Sequence, residues 1–139
     1  MPHSPRWHAG RLWLHNSGTG EFGFVDGGKF QPLCFCPGYL RGLSFAGNYA
    51  IMGLSKPRDS KTFAGLALDQ ALEQRQMEAR CGLYVVDLAS GDIAHSLGLE
   101  GIVSEFYDVA VIPGKQQPAA LGPGTPELKR MISVGSAPS

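Results

Sequence analysis

Apolar and polar positions alternate along this chain in runs too short for helices, and the runs return in a fixed order. Arg11 to Asn16 sets Leu12 and Leu14 against Arg11, Trp13 and His15, and Glu21 to Asp26 follows the turn Ser17-Gly-Thr-Gly20. Successive side chains of a strand point to opposite faces, so a period of two predicts strands. Gly27-Gly28 supplies the positive φ that a tight hairpin turn requires, and predicts that Phe30 to Cys36 folds back on the strand before it. Pro37-Gly38 ends that hairpin. Leu43 to Ala46 and Tyr49 to Leu54 predict two more strands joined at Gly47-Asn48. Gly82 to Leu88 and Asp92 to Leu99 predict another pair joined by Ala89-Ser-Gly91, and Val109 to Ile112 follows.

One stretch departs from this pattern. Lys56 to Lys61 is polar, and Leu68 to Ala79 is rich in helix formers, with Leu68, Ala71 and Leu72 on one face. Residues 57–80 therefore read as an insertion carrying a short helix. Thr125-Pro126-Glu127 has the cap and first-turn proline of a helix start, while Met131 to Val134 has the makeup of a final strand; both readings stand. Residues 136–139 are expected to form a disordered tail.

The runs repeat. Phe22-Gly-Phe24-Val25-Asp26, a glycine turn and Phe30 to Cys36 correspond to Leu83-Tyr-Val85-Val86-Asp87, the turn Ala89-Ser-Gly91 and Ile93 to Leu99. A recurring unit of short strands marks a propeller or related β-repeat. The expected fold is all-β: a partial β-propeller of roughly two and a half four-stranded antiparallel blades with one helical insertion, forming one domain over residues 1–135. The first blade takes 4–9, 11–16, 21–26 and 29–36; the second takes 42–46, 49–54, 82–88 and 92–99; a half blade takes 106–112 and 117–121.

Composition narrows the function classes. The chain has 12 basic and 12 acidic residues, so it lacks the basic excess of a nonspecific nucleic-acid binder. Charged residues are only 17% of 139, against 43% apolar, which suits faces covered by missing blades or by self-association. No run approaches the roughly 20 apolar residues of a membrane helix. The N-terminal stretch has no apolar core of a secretory signal. Three cysteines, an odd and low number, suit a reducing compartment, so a cytoplasmic location is expected, with neither nucleic acid nor membrane as partner.

Candidate chemistry follows from the repeat. Propeller ligands gather where the innermost strands converge. Alignment on Gly10, Gly47 and Gly114 makes Ser4, Arg41 and Asp108 equivalent, and brings His3, Arg41, Tyr107 and Asp108 to one mouth with Arg6 and Glu105 nearby. Such a ring would bind a small polar or anionic molecule, with Arg41 as a forked donor. The structural alternative is that Arg41 and Asp108 pair with each other. Ser55, Lys56 and Arg58 end a strand and enter the insertion, with Arg80 at its far end; this loop would close on an anion, or simply be solvated. His3 and His8, five residues apart on extended chain, are expected on opposite faces, which speaks against a shared metal, and none is assigned. His95 is expected at the surface. Cys34-x-Cys36 puts both thiols on one face without the spacing of a redox or zinc motif, and reads as small apolar packing. Gly18, Gly20 and Gly23 form a Gly-x-Gly-x-x-Gly without the following helix that nucleotide binding requires.

Several phrases carry a resemblance: Met1-Pro-His-Ser-Pro-Arg-Trp-His8, Leu14-His-Asn-Ser-Gly-Thr-Gly-Glu-Phe-Gly23, Cys36-Pro-Gly-Tyr-Leu-Arg-Gly-Leu43, Gly53-Leu-Ser-Lys-Pro-Arg58, Ala79-Arg-Cys-Gly-Leu83 and Tyr107-Asp-Val-Ala-Val-Ile-Pro-Gly114. They resemble a bacterial family of conserved hypothetical proteins labelled domain of unknown function 4915. The resemblance covers nearly the whole chain. It implies a propeller, and that the chain corresponds to the C-terminal part of longer proteins. It implies no activity, cofactor or catalytic residue. His15 departs from it, standing where family members carry an aliphatic residue, and so does the tail after Gly122.

Two functions are compatible with these features. The first is a non-catalytic ligand- or protein-binding module without cofactor. The second is a metal-dependent enzyme like the sugar-lactone hydrolases, with Asp108, Glu105 and Asn16 among its channel ligands. Fold analogy does not choose between them.

Overall fold

The computed structural model describes residues 1–57, 67–116, 122 and 124–126. Among these described residues, eight strands form two antiparallel sheets of four. The first runs β1 (Pro2–His8), β2 (Arg11–Asn16), β3 (Glu21–Asp26) and β4 (Lys29–Phe35) in sequence order. The second runs β5 (Tyr39–Ala46), β6 (Tyr49–Ser55), β7 (Gly82–Asp87) and β8 (Ile93–Gly98). One helix, α1 (Ala67–Gln74), lies between β6 and β7.

The two sheets share a register. His3 pairs with His15 and His8 with Arg11, and residues 38 further on, Arg41 pairs with Gly53 and Ala46 with Tyr49. The first strand of each sheet, β1 and β5, breaks its ladder at the same place, between His3 and Arg6 and between Arg41 and Leu43. At that bulge Ser4 and its equivalent Gly42 both take positive φ, 50° and 71°. A bulge inserts an extra residue and re-aims the side chains beyond it.

The core lies between the sheets. Trp13 and Phe22 of the first sheet meet Leu40, Leu43, Ala50, Met52, Tyr84 and Val86 of the second, all buried. Full burial of one such side chain is worth roughly 1.5–3 kcal/mol. An aromatic seam crosses the joint. Trp13 stacks on Phe22 with centroids 5.3 Å apart, and the His8 ring lies flat on Phe45 at 4.1 Å.

The helix begins within the expected insertion but is shorter than 68–79. It stops at Gln74 because Gln76 turns left-handed (φ 53°). Met77 N then donates to Leu72 O and Gln76 N to Glu73 O, the paired bonds of a Schellman cap. Leu68 and Leu72 are buried, and Leu68 N donates to Gly18 O, so the insertion of the second sheet is tied to a turn of the first.

The expected half blade is corrected. Among the described residues, 106–112 contains no strand. It follows the second sheet by bonds to side chains: Phe106 N donates to Ser55 Oγ (2.8 Å) and Val111 N to Ser44 Oγ (3.1 Å). Its expected strand partner, 117–121, lies outside the described residues, as do Arg58, the segment 131–134 and the tail 136–139.

Candidate functional site

The bulged strands β1 and β5 position a cleft at one end of the joint. Its volume is about 300 Å³. His3 of β1, Arg41 of β5, and Glu105 and Tyr107 of the following segment line it, together with Ser55 and Lys56 at the end of β6. Six of the residues that the sequence pointed to are thus brought together. Arg6 and Asp108 are not among the lining residues. They pair with each other at 3.3 Å in an exposed contact, so Asp108 is engaged by Arg6 and not by Arg41. Arg80 lines a neighbouring depression that Lys56 shares, and its backbone N–H donates to Pro37 O.

The expected alignment of β1 with β5 is off by one residue. The turn Ala9-Gly10 corresponds to Gly47-Asn48, so Gly10 matches Asn48 and Ser4 matches Gly42. Ser4 therefore lies level with Gly42, which lies against Asp108, while His3 lies level with Arg41. Ser4 Oγ accepts from Gly42 N at 2.9 Å. A side chain on Gly42 would run into the backbone of Asp108 and Val109. The bulge also reverses the expected parity of the histidines. His3 Nδ1 meets Arg41, and His8 Nε2 donates to Gly47 O, so both reach the second sheet. Among the described residues, no three His, Cys, Asp or Glu side chains cluster as metal ligands. Asn16 Oδ1 accepts from the Met1 amine at 2.9 Å.

The cleft's electrostatics are set at its inner wall. Arg41 Nη1 donates to His3 Nδ1 at 3.3 Å. Burial, then the nearby guanidinium, hold the His3 pKa below its ordinary value. The ring is thus neutral near pH 7, with Nδ1 as acceptor and its proton on Nε2. Arg41 carries five N–H donors in a planar fork, and the bond to His3 engages one nitrogen. Tyr39 stands on the same side of β5 two residues away and lines the cleft; its hydroxyl reaches Asp69 at 3.5 Å, and burial, then Asp69, raise its pKa. Ser55 Oγ accepts from Phe106 N, so its hydroxyl hydrogen points elsewhere.

Sequence reasoning missed Ser17, Tyr39 and Phe106. Ser17 could have been found, since it is the equivalent of Ser55 at the 38-residue offset, and its hydroxyl donates to Leu40 O at 2.6 Å. Tyr39 was readable from the period of two beside Arg41. Phe106 carried no such signal, because it covers Gly53 from outside any strand.

Residues 1–121 match the family model described as Domain of unknown function (DUF4915), and the chain belongs to that family. No curated protein and no solved structure matches it. No helix among the described residues is long and apolar enough to cross a membrane.

Proposed function

We propose that this chain is a non-catalytic binding module, part of a β-propeller, that takes a small anionic molecule in the cleft where its inner strands meet. One observation carries the reading: Arg41, half-buried and anchored on a neutral His3, faces the same cleft as Lys56. A guanidinium held in a partly desolvated wall matches the two oxygens of a carboxylate or phosphate better than a mobile surface lysine does. Tyr39, Phe106 and Tyr107 offer flat apolar surface to the body of the ligand, and Glu105 offers an acceptor to a ligand hydroxyl. The propeller reading is supported by the shared 38-residue register and by the bonds that join β1 to β5, His3 with Arg41 and Ser4 with Gly42. The exposed flanks, with Trp7 73% accessible, are where further blades or a second copy would pack. The three free cysteines fit a reducing, cytoplasmic setting.

Isothermal titration calorimetry with inorganic phosphate and with malonate tests this reading. One-site binding to either, weakened at least tenfold (about 1.4 kcal/mol) by Arg41→Ala and partly restored by Arg41→Lys, is expected. No heat from either anion, or binding indifferent to Arg41→Ala, would contradict it.

A further inference from the structure

Two sulfurs face each other away from the cleft. Cys34 lies near the end of β4 and Cys36 just beyond it, with Sγ to Sγ 3.9 Å. Their settings differ. Cys36 is fully buried in the joint between the sheets, where its thiol donates to Met52 Sδ at 3.8 Å. Cys34 is partly exposed. Cys34 thus lies at the margin of the core, and Cys36 lies within it.

We propose that Cys34 and Cys36 form a dithiol site that a hydroperoxide oxidises to an intramolecular disulfide. The Cys34 thiolate attacks the outer peroxide oxygen, the O–O bond breaks, and an alcohol or water leaves. Cys34 is then a sulfenic acid. The Cys36 sulfur attacks the Cys34 sulfur, the S–O bond breaks, and the hydroxide leaves as water with the proton of Cys36. Two thiols lose two electrons and the hydroperoxide gains them.

The step requires the backbone at the end of β4 to shift. A disulfide needs its sulfurs about 2.05 Å apart, so they must close by roughly 2 Å. Cys36 lies past the last ladder pair of its strand, Glu21 with Phe35, and is held by its N–H bond to Gly20 O. Residues two apart on extended chain have Cα atoms about 6.7 Å apart, at the upper end of the range disulfides span. The polarity of the pair agrees. The contact with Cys36 holds the Cys34 thiol below its ordinary pKa, and that contact together with burial pushes Cys36 well above it. Cys34 is accordingly the attacking thiol and Cys36 the resolving one. Disulfides in a reducing compartment are typically transient, which suits a reversible pair.

The test uses the full chain treated with hydrogen peroxide, alkylated and digested with trypsin. Both cysteines fall in the single peptide spanning residues 30–41, and buried Cys81 falls in another, as an internal control. The expected result is a loss of about 2 Da from the 30–41 peptide, reversed by dithiothreitol, while Cys81 stays alkylatable. It should form roughly tenfold faster in the folded chain than in urea, because the fold holds the thiols together. Cys34→Ser should leave Cys36 inert, and Cys36→Ser should let Cys34 accumulate as sulfenic or sulfinic acid. The proposal fails if the folded peptide keeps two alkylatable thiols, if Cys34 over-oxidises without the mass loss, or if the unfolded chain oxidises as fast.

Discussion

In the first sheet the second strand carries His15; 38 residues later the equivalent place in the second sheet is Gly53. His15 is wholly buried, and its Nε2–H donates across the joint to Gly42 O at 2.9 Å. The first sheet therefore closes its end of the joint with its own side chain. Gly53 has none, and Phe106 of the following segment lies over it. The same backbone position is sealed from inside in one sheet and by the next segment in the other. The connections differ in a matching way. Four residues, 17–20, join β2 to β3, whereas the β6-to-β7 connection carries α1, which returns to the first sheet through Leu68 and through Arg75, whose guanidinium lies 4.2 Å above the Phe35 ring. Equivalent frames thus acquire different roles: the first sheet is a platform, and the second sends out the pieces that finish the cleft.

The comparison breaks most severely at Gly42. Its left-handed backbone disfavours any side chain, and a Cβ there would meet the backbone of Asp108 and Val109. Gly42→Val is expected to cost about 3 kcal/mol or more in urea unfolding. Ser4→Gly, which removes a side chain at the equivalent position instead of adding one, should cost far less, since it relieves positive φ and loses only one hydrogen bond. Equal losses at both sites would show that the third segment does not rest on Gly42.

His15 gives the next largest effect. Burial, opposed by the bond to Gly42 O, lowers its pKa from 6.5 to about 4, and its Nδ1 is buried without a partner. The unfolded chain then takes up the proton first as pH falls. The stabilisation is fully present above pH 6.5 and is lost as pH drops toward 4. The shift corresponds to about 3 kcal/mol. Denaturant melts across this window should show the slope, and His15→Leu should flatten it. A slope unchanged in His15→Leu would place the proton uptake elsewhere.

The smallest effect is expected at the Arg6–Asp108 pair. Its side chains are 43% and 55% exposed, and such contacts contribute about 0.5 kcal/mol or less. Asp108→Asn should leave stability and anion binding almost unchanged. A large loss of binding would move Asp108 into the site and revive the metal-ligand reading.

Much of this was legible in the chain. The hairpins follow from alternation and from Gly27-Gly28, and Asp26 indeed pairs with Lys29 across that turn. The repeat alone places His3, Arg41, Glu105 and Tyr107 at one mouth, whereas Ser55 and Lys56 come from a separate reading of the insertion loop, and the fold joins the two sets. What could not be read was the bulge. Ser4 is not a residue whose identity announces positive φ, so the alignment slipped by one and put Asp108 level with Arg41. Nor does composition reveal that 106–112 is held by the hydroxyls of Ser44 and Ser55. Its apolar run reads as a strand, but these bonds to the second sheet run from its backbone N–H groups to side chains. The helix end was equally hidden, since glutamine at the left-handed cap position carries no signal of its own.

The proposed anion binding at the cleft between β1, β5 and the segment after β8 is best tested by NMR titration of the folded chain with inorganic phosphate. The account predicts that amide and side-chain signals of His3, Tyr39, Arg41, Ser55 and Tyr107 shift together along one saturation curve, while Arg6 and Arg80 stay still. Shifts that follow separate curves, or that centre on the depression beside Arg80, would contradict it.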